Sequence, residues 1–297
     1  MKEVVDSGNV KVLYADHEYF INKLKNKEQF NYTRVQHGIL DLLIETYNRE
    51  ISPLLDAIQN ERWIDIAKNV IKQNNRIIQV WHKSSESLLN EFASSYRIIY
   101  ENSSLVPNLH LGVSAGVGFG MNNHGNLHES NQMQQYRAKV LETLTQKSPK
   151  LYHGGLSRHM GVMGETFDFF NKINDIGVDV LIYGPQYMKE YKNVFNIKKF
   201  HHLPIPDYGA IHQINKAFPT MIEYCSRLEN PLIINCCGHT ISLLLAYNLK
   251  DTNISNFDIG RGFDWSLKEY VLNNTDIKNP WLKQPETLLK EYINQIR

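Results

Sequence analysis

The chain has 297 residues, 42% of them hydrophobic and 21% charged, which suits one sizeable folded α/β unit and is too apolar for wholesale disorder. Lys plus Arg number 32 against 31 for Asp plus Glu, a net charge of +1, so binding of a polyanion through bulk charge is excluded and only a local basic groove is left for that purpose. Of three cysteines, Cys236 and Cys237 are adjacent and Cys225 has no evident partner, which fits a reducing compartment. The opening MKEVVDSGNV has no apolar core of signal-peptide length, and the run Ile241–Tyr247 is too short to span a bilayer, so a cytoplasmic protein without a membrane partner is expected. Heavy use of Asn, Lys, Ile and Tyr points to an AT-rich gene, bacterial or viral.

In chain order, Asp16 to Lys27 reads as a helix and Gln29 to Val35 as a strand in which aromatic and β-branched residues alternate with polar ones. His37-Gly38 then turns into a helical pattern from Ile39 to Tyr47. Residues 51–104 carry helical periodicity without strand signals and are expected to be a helical insertion of two or three helices. Leu109 to Val113 is a short apolar strand running into the Gly-rich GVSAGVGFGMNNHG, and a helix follows from about Asn131 to Gln146. Beyond it, units alternate: a strand at Lys150–His153, a Gly-rich turn (HGGLSRHMG), a helix from Glu165 to Asn174, and strands at Val178–Tyr183 and Lys199–Ile205. A helix from Ile211 to Cys225, a strand from Pro231 to Cys236, a turn at Gly238-His239-Thr240, a helix from Ile241 to Leu249 and a strand at Asn256–Ile259 complete the series. Strands alternating with helices predict a single domain over residues 1–297, a Rossmann-like, mostly parallel sheet with helices on both faces. Ligands in such sheets sit outside the carboxyl ends of the strands.

The turns that follow strands therefore hold the candidate residues. Gly238-His239-Thr240, between an apolar strand and an apolar helix, is either a phosphate site on free helix N–H groups or a plain turn with Thr240 as N-cap. Gly116, Gly118 and Gly120 form G-x-G-x-G, which is not the dinucleotide fingerprint, and there is no Walker motif. Asp258-Ile-Gly-Arg-Gly-Phe-Asp264 sets two carboxylates around Arg261: a base beside a diphosphate-binding cation, or a structural ion pair. Among twelve histidines, His124, His128 and Glu129 have helix-compatible metal spacing, but Gly125-Asn126 interrupts it and no C-x-x-C or H-E-x-x-H occurs, so no metal site is assigned. Trp63 and Trp81 fit either a core or a binding surface.

Two separated stretches of the chain resemble the GT-D type of glycosyltransferase, a Rossmann-like family that uses nucleotide sugars. The N-terminal strand of that family ends in F-x-x-x-R-[FY]-G-D-G-E, and Phe30-Asn-Tyr-Thr-Arg34-Val-Gln-His37-Gly38-Ile39 falls at that place. The C-terminal order of the family is matched by LIYGPQYM, LPIPDYGAI, IINCCGHT, LLLAYNL and FDIGRGFD. The D-x-E of the family, its metal and donor motif, maps to His37-Gly38-Ile39 and is lost, with Asp41 one turn further on.

The resemblance implies sugar transfer from a nucleoside-diphosphate donor, a UDP-sugar first among them, to a hydroxyl of a glycan or glycoprotein, or of a hydroxymethylated base in phage DNA. A divalent metal, Mn or Mg, remains open as a cofactor. Donor contacts are assigned to Arg34, His37, Gly38, Gly184, Gly238, His239, Thr240 and Arg261. The catalytic base is sought among Asp258, Asp264 and Asp207, and the acceptor side at His153 and Arg158. A catalytically degenerate nucleotide-sugar-binding relative and a Rossmann-like oxidoreductase are the alternatives, the second disfavoured by the missing fingerprint.

Overall fold

The structure, a computed structural model, describes residues 1–6, 10–35, 51–82, 88–113, 136, 139–140, 142–143, 151–206, 208–273, 282 and 286–296. Nine strands form one sheet: β1 (Lys2–Asp6), β2 (Val10–Tyr14), β3 (Asn31–Val35), β4 (Leu109–Val113), β5 (Tyr152–His153), β6 (Asp179–Pro185), β7 (Phe200–Ile205), β8 (Pro231–Asn235) and β9 (Ser255–Asp258), in the spatial order β1-β2-β5-β4-β3-β9-β8-β6-β7. β1 pairs antiparallel with β2, and every other pairing is parallel. The fold is therefore α/β with a mostly parallel sheet, as the alternation of elements predicts.

A parallel sheet covered on both faces needs strands that are apolar on both sides. β8 shows how the sequence meets that demand: Ile233 points to one core while Leu232 and Ile234 point to the other. The first core is largely aliphatic. It lies beneath α2 (Ile51–Gln59), α3 (Trp63–His82), α4 (Leu89–Leu105), α8 (Ile214–Cys225) and α9 (His239–Leu249), so the expected helical insertion supplies three helices, α2 to α4, to a sheet face. Trp63 belongs to this packing, with its ring centroid 5.1 Å from that of Tyr100, and the Trp81 side chain lies outside the described residues.

The second core is aromatic. Phe20, Phe30, Tyr32, Phe169, Phe170, Phe257 and Phe263 fill it beneath α1 (His17–Lys25), α5 (Leu156–Met163) and α6 (Thr166–Asp175), with α7 (Tyr191–Val194), α10 (Lys268–Asn273) and α11 (Glu286–Ile296) at its margins. Offset and edge-on ring pairs such as Phe20–Phe30, 4.9 Å between centroids, favour this packing beyond the area they bury.

Three local expectations change. The segment HGGLSRHMG is not a turn but mostly the helix α5, because its glycines serve packing: a Cβ on Gly161 would strike the Gly262 carbonyl. α9 begins at His239 with Gly238 as its cap, so Thr240 lies inside the helix instead of capping it. The β1–β2 hairpin has no counterpart among the expected elements, although VKVLY carries strand-type alternation. The helical reading of Ile39–Tyr47 and the Gly-rich run from Ser114 to Gly125 lie outside the described residues.

α1 is pinned to α6 by a charge cluster. His17 Nε2 lies 3.1 Å from Asp168 Oδ2 and 3.3 Å from Glu18 Oε1, and its Nδ1 lies 3.4 Å from Glu165 Oε2. The Lys172 ammonium pairs with Asp168 at 2.7 Å and also with Glu18, so this group already holds its counter-ion. Burial works to lower the His17 pKa, but the surrounding carboxylates outweigh it and raise the pKa above 6.5. A raised folded-state pKa gives stabilisation that is complete below pH 6.5 and is lost as pH rises through the higher value. We expect His17→Gln to lower Tm by a few degrees at pH 5.5 and by less at pH 8.5, read by calorimetry. Equal losses at both pH values would contradict this account of the cluster.

Candidate functional site

The seven strands β3 to β9 run in one direction, so their carboxyl ends share one rim, and the turns of the candidate motifs converge there. At its centre β3 and β9 are neighbours, with Asn31 opposite Asn256 and Tyr32 opposite Phe257. Continuing that register sets Thr33 opposite Asp258, and Arg34, one residue on, reaches back to the Asp258 carboxylate. The guanidinium donates to Asp258 Oδ1 from Nε at 3.2 Å and from Nη2 at 3.0 Å, and the Arg34 backbone N–H donates to Oδ2 at 3.2 Å. The Gly260 N–H adds a bond to Oδ1 at 2.9 Å. Both side chains are buried, and a Cβ at Gly260, whose φ is +47°, would collide with the Arg34 guanidinium.

A second carboxylate–arginine pair lies beside the first. Asp264, fully buried, accepts from the Tyr187 hydroxyl at 2.9 and 3.0 Å and from the Tyr191 hydroxyl at 3.0 Å. Arg261 Nε lies 3.3 Å from Asp264 Oδ2 and 3.3 Å from the Tyr187 hydroxyl, with its guanidinium carbon 5.4 Å from the Tyr187 ring centroid. Burial, reinforced by the Asp264 charge, drives the Tyr187 hydroxyl pKa well above its usual value, so it acts as a donor. Cys236 sits between the two pairs. Its thiol feels Asp264, Arg261, Asp258 and Arg34 together, and burial pushes it up to about 12. Neither Cys236 nor the more deeply buried Cys237 is a thiolate nucleophile at neutral pH.

β8 delivers the start of α9 to the same place. Gly238 has φ +87° and ψ 156°, a region open essentially to glycine alone, and no atom lies within 4 Å of where its Cβ would be. The Ser242 N–H makes the first intrahelical bond, to Gly238 O at 2.9 Å, and the amides of His239, Thr240 and Ile241 precede it. Three amides without an intrahelical acceptor and the positive end of the dipole make this terminus attractive to an anion. Thr240 is buried and His239 half-buried. The imidazole faces Asp258 and Arg34, and its pKa falls below 6.5, chiefly through burial. Gly184, at the end of β6, packs between Met188 and Cys236, and its carbonyl lies 3.1 Å from His202 Nε2.

His153 and Arg158 lie further along the rim, at β5 and α5. The Ser157 hydroxyl donates to Ile259 O at 2.8 Å and so ties α5 to the end of β9. His153 Nδ1 accepts from the Gly155 N–H at 3.1 Å, which makes Nε2 the protonated nitrogen. Burial, with a smaller push from Arg158, takes the His153 pKa down to about 4. This imidazole is thus a neutral donor at physiological pH. Its ring neighbours are His159, 5.0 Å away, and Tyr14, 5.7 Å away. His37, Gly38, Asp41, Asp207 and the motifs around His124 and His128 lie outside the described residues.

Sequence reasoning thus named Arg34, Gly184, Gly238, His239, Thr240, Asp258, Arg261 and Asp264, which the fold brings to one rim, with His153 and Arg158 beside them. It missed Tyr187 and Tyr191, the donors that hold Asp264. The only signal for them was the Y-x-x-x-Y spacing after Gly184-Pro185, which also fits an ordinary helix face. No protein-family model, curated protein or solved structure matches the chain. Among the described residues no helix is long and apolar enough to cross a membrane.

Arg34→Met would leave a buried carboxylate without its cation, a loss of about 3–5 kcal/mol in urea unfolding. Adding Asp258→Leu to that variant should restore most of the loss. A single-variant loss below about 1 kcal/mol, the range of exposed pairs, would show that the pair does not organise the rim.

Proposed function

We propose that the protein transfers a sugar from a nucleoside-diphosphate donor to an acceptor hydroxyl. One observation carries the reading: two guanidiniums, each fixed by a buried carboxylate, stand on the strand-end rim that also carries the start of α9. The leaving group of such a reaction is a diphosphate on which negative charge grows. Donors already aimed at that charge stabilise it without reorganising when the bond breaks. Asp258 and Asp264 hold the two guanidinium planes in place, and guanidinium geometry matches phosphate oxygens.

Among the described residues, the rim carboxylates are not free for the divalent metal of the resembled family. His37-Gly38-Ile39 replaces its D-x-E, and Asp258 and Asp264 are engaged with arginines. The proposed chemistry accordingly uses this chain's own cations and amides. On the acceptor side, His153 and Arg158 would orient the incoming hydroxyl. A glycan or glycoprotein acceptor suits the near-neutral net charge, and a modified DNA base would require local phosphate contacts.

The test is release of nucleoside diphosphate from a panel of sugar nucleotides. We expect release from at least one donor, persisting in the presence of a chelator, and a fall of at least 100-fold in Arg261→Ala. Tight nucleotide binding with no release from any donor would instead support a catalytically degenerate binding protein. A spectral change with a nicotinamide or flavin would support an oxidoreductase. Activity lost on chelation and restored by manganese would overturn the metal-free chemistry.

A further inference from the structure

We infer that the His239 imidazole, rather than Asp258 or Asp264, is the proton acceptor of this rim. The inference rests on the transfer reading above and goes beyond it by assigning the base. It begins with an exclusion. A general base needs a lone pair open to the proton it removes. Asp258 is buried, and its oxygens already accept from the Arg34 side chain, the Arg34 amide and the Gly260 amide. Asp264 spends both of its own on Tyr187, Tyr191 and Arg261. Removing a proton with either one would break the contacts that hold the guanidiniums.

His239 differs from both in geometry. Its Nδ1 is buried, and no described residue hydrogen-bonds to it. Leaving a buried polar atom in that state is costly, and such an atom in a native fold calls for an explanation. The backbone of Arg34 also faces the ring. An Nε2–H turned toward that carbonyl would fix the tautomer and leave Nδ1 with its lone pair, the usual way a second group orients a histidine base. The charged groups facing the imidazole among the described residues are Arg34 on β3 and Asp258 on β9. Burial and Arg34 favour the neutral ring, the form a base must start in, and the Asp258 carboxylate is at hand to stabilise the imidazolium that forms.

The step balances. The acceptor O–H bond breaks and its proton goes to Nδ1. The freed oxygen pair forms the bond to the anomeric carbon. The bond from that carbon to the diphosphate breaks, and its electron pair leaves on the nucleoside diphosphate beside Arg34, Arg261 and the α9 amides. The imidazolium then returns its proton to solvent.

The test compares the unaltered protein with His239→Gln and His239→Ala in nucleoside diphosphate release from the donor panel, across pH 5 to 9. The unaltered protein should lose activity on the acid side with an apparent pKa below 6.5. His239→Gln should reduce kcat 100- to 10,000-fold and abolish that acid limb, with KM for the donor changed only a few-fold. Added imidazole should restore part of the activity of His239→Ala. Circular dichroism and uridine diphosphate binding, both retained, would show that the variants fold. Release by the variants at the unaltered rate, or an acid limb that survives the substitution, would overturn the role of His239 and leave the transfer reading standing. No release by the unaltered protein from any donor would overturn both.

Discussion

The buried Arg34–Asp258 pair is the interaction on which the rest of the rim depends. It joins two adjacent parallel strands at the ends where a ligand would sit. Taking both charges out of water is costly, and the cost is met only because the carboxylate also collects two backbone amides. That arrangement constrains the chain around it. Position 260 must remain glycine, since a side chain there would displace the guanidinium. The imidazole of His239 feels the charges of both members of the pair. A fold that needed only stability would do as well with apolar residues at 34 and 258. A charge pair kept at a strand-end rim is therefore better explained by what it holds ready than by what it stabilises.

The two faces of the sheet divide the remaining work. The aliphatic face takes up α2, α3, α4 and α9, and α9 brings an N-terminus without a side-chain cap to the rim. The aromatic face supports α5 and the turn from Gly262 to Leu267, which carries Asp264. Ser157 and Gly262 lock these two together at close range. Arg261 is thus fixed from the aromatic side, and Arg34 from the sheet itself. Both guanidiniums have rigid support of the kind that electrostatic stabilisation of a leaving group requires.

Much of this was legible in the sequence, for physical reasons. The strands from β6 to β9 announce themselves as short apolar runs ended by Gly-Pro, Pro-Asp or Cys-Cys-Gly, so the rim and most of its residues could be named in advance. What was hidden is pairing. A D-x-x-R-x-x-D segment does not reveal that its first carboxylate reaches across the sheet to Arg34 while its last is held by two tyrosines from another turn. α5 was hidden because local propensity counts its glycines against a helix, whereas tertiary contact with Gly262 demands them. The charge cluster of His17 with Glu18, Glu165 and Asp168 was hidden because its two halves lie far apart in the chain, with a separation of 151 between His17 and Asp168.

The central claim is spatial, and a crystal structure of the protein with uridine diphosphate tests it most directly. The account predicts the two phosphates lodged between Arg34, Arg261 and the amides of His239 and Thr240, with the imidazole of His239 on the side from which a hydroxyl would approach. A nucleotide bound at the opposite end of the strands, or held without contact to either arginine, would contradict it.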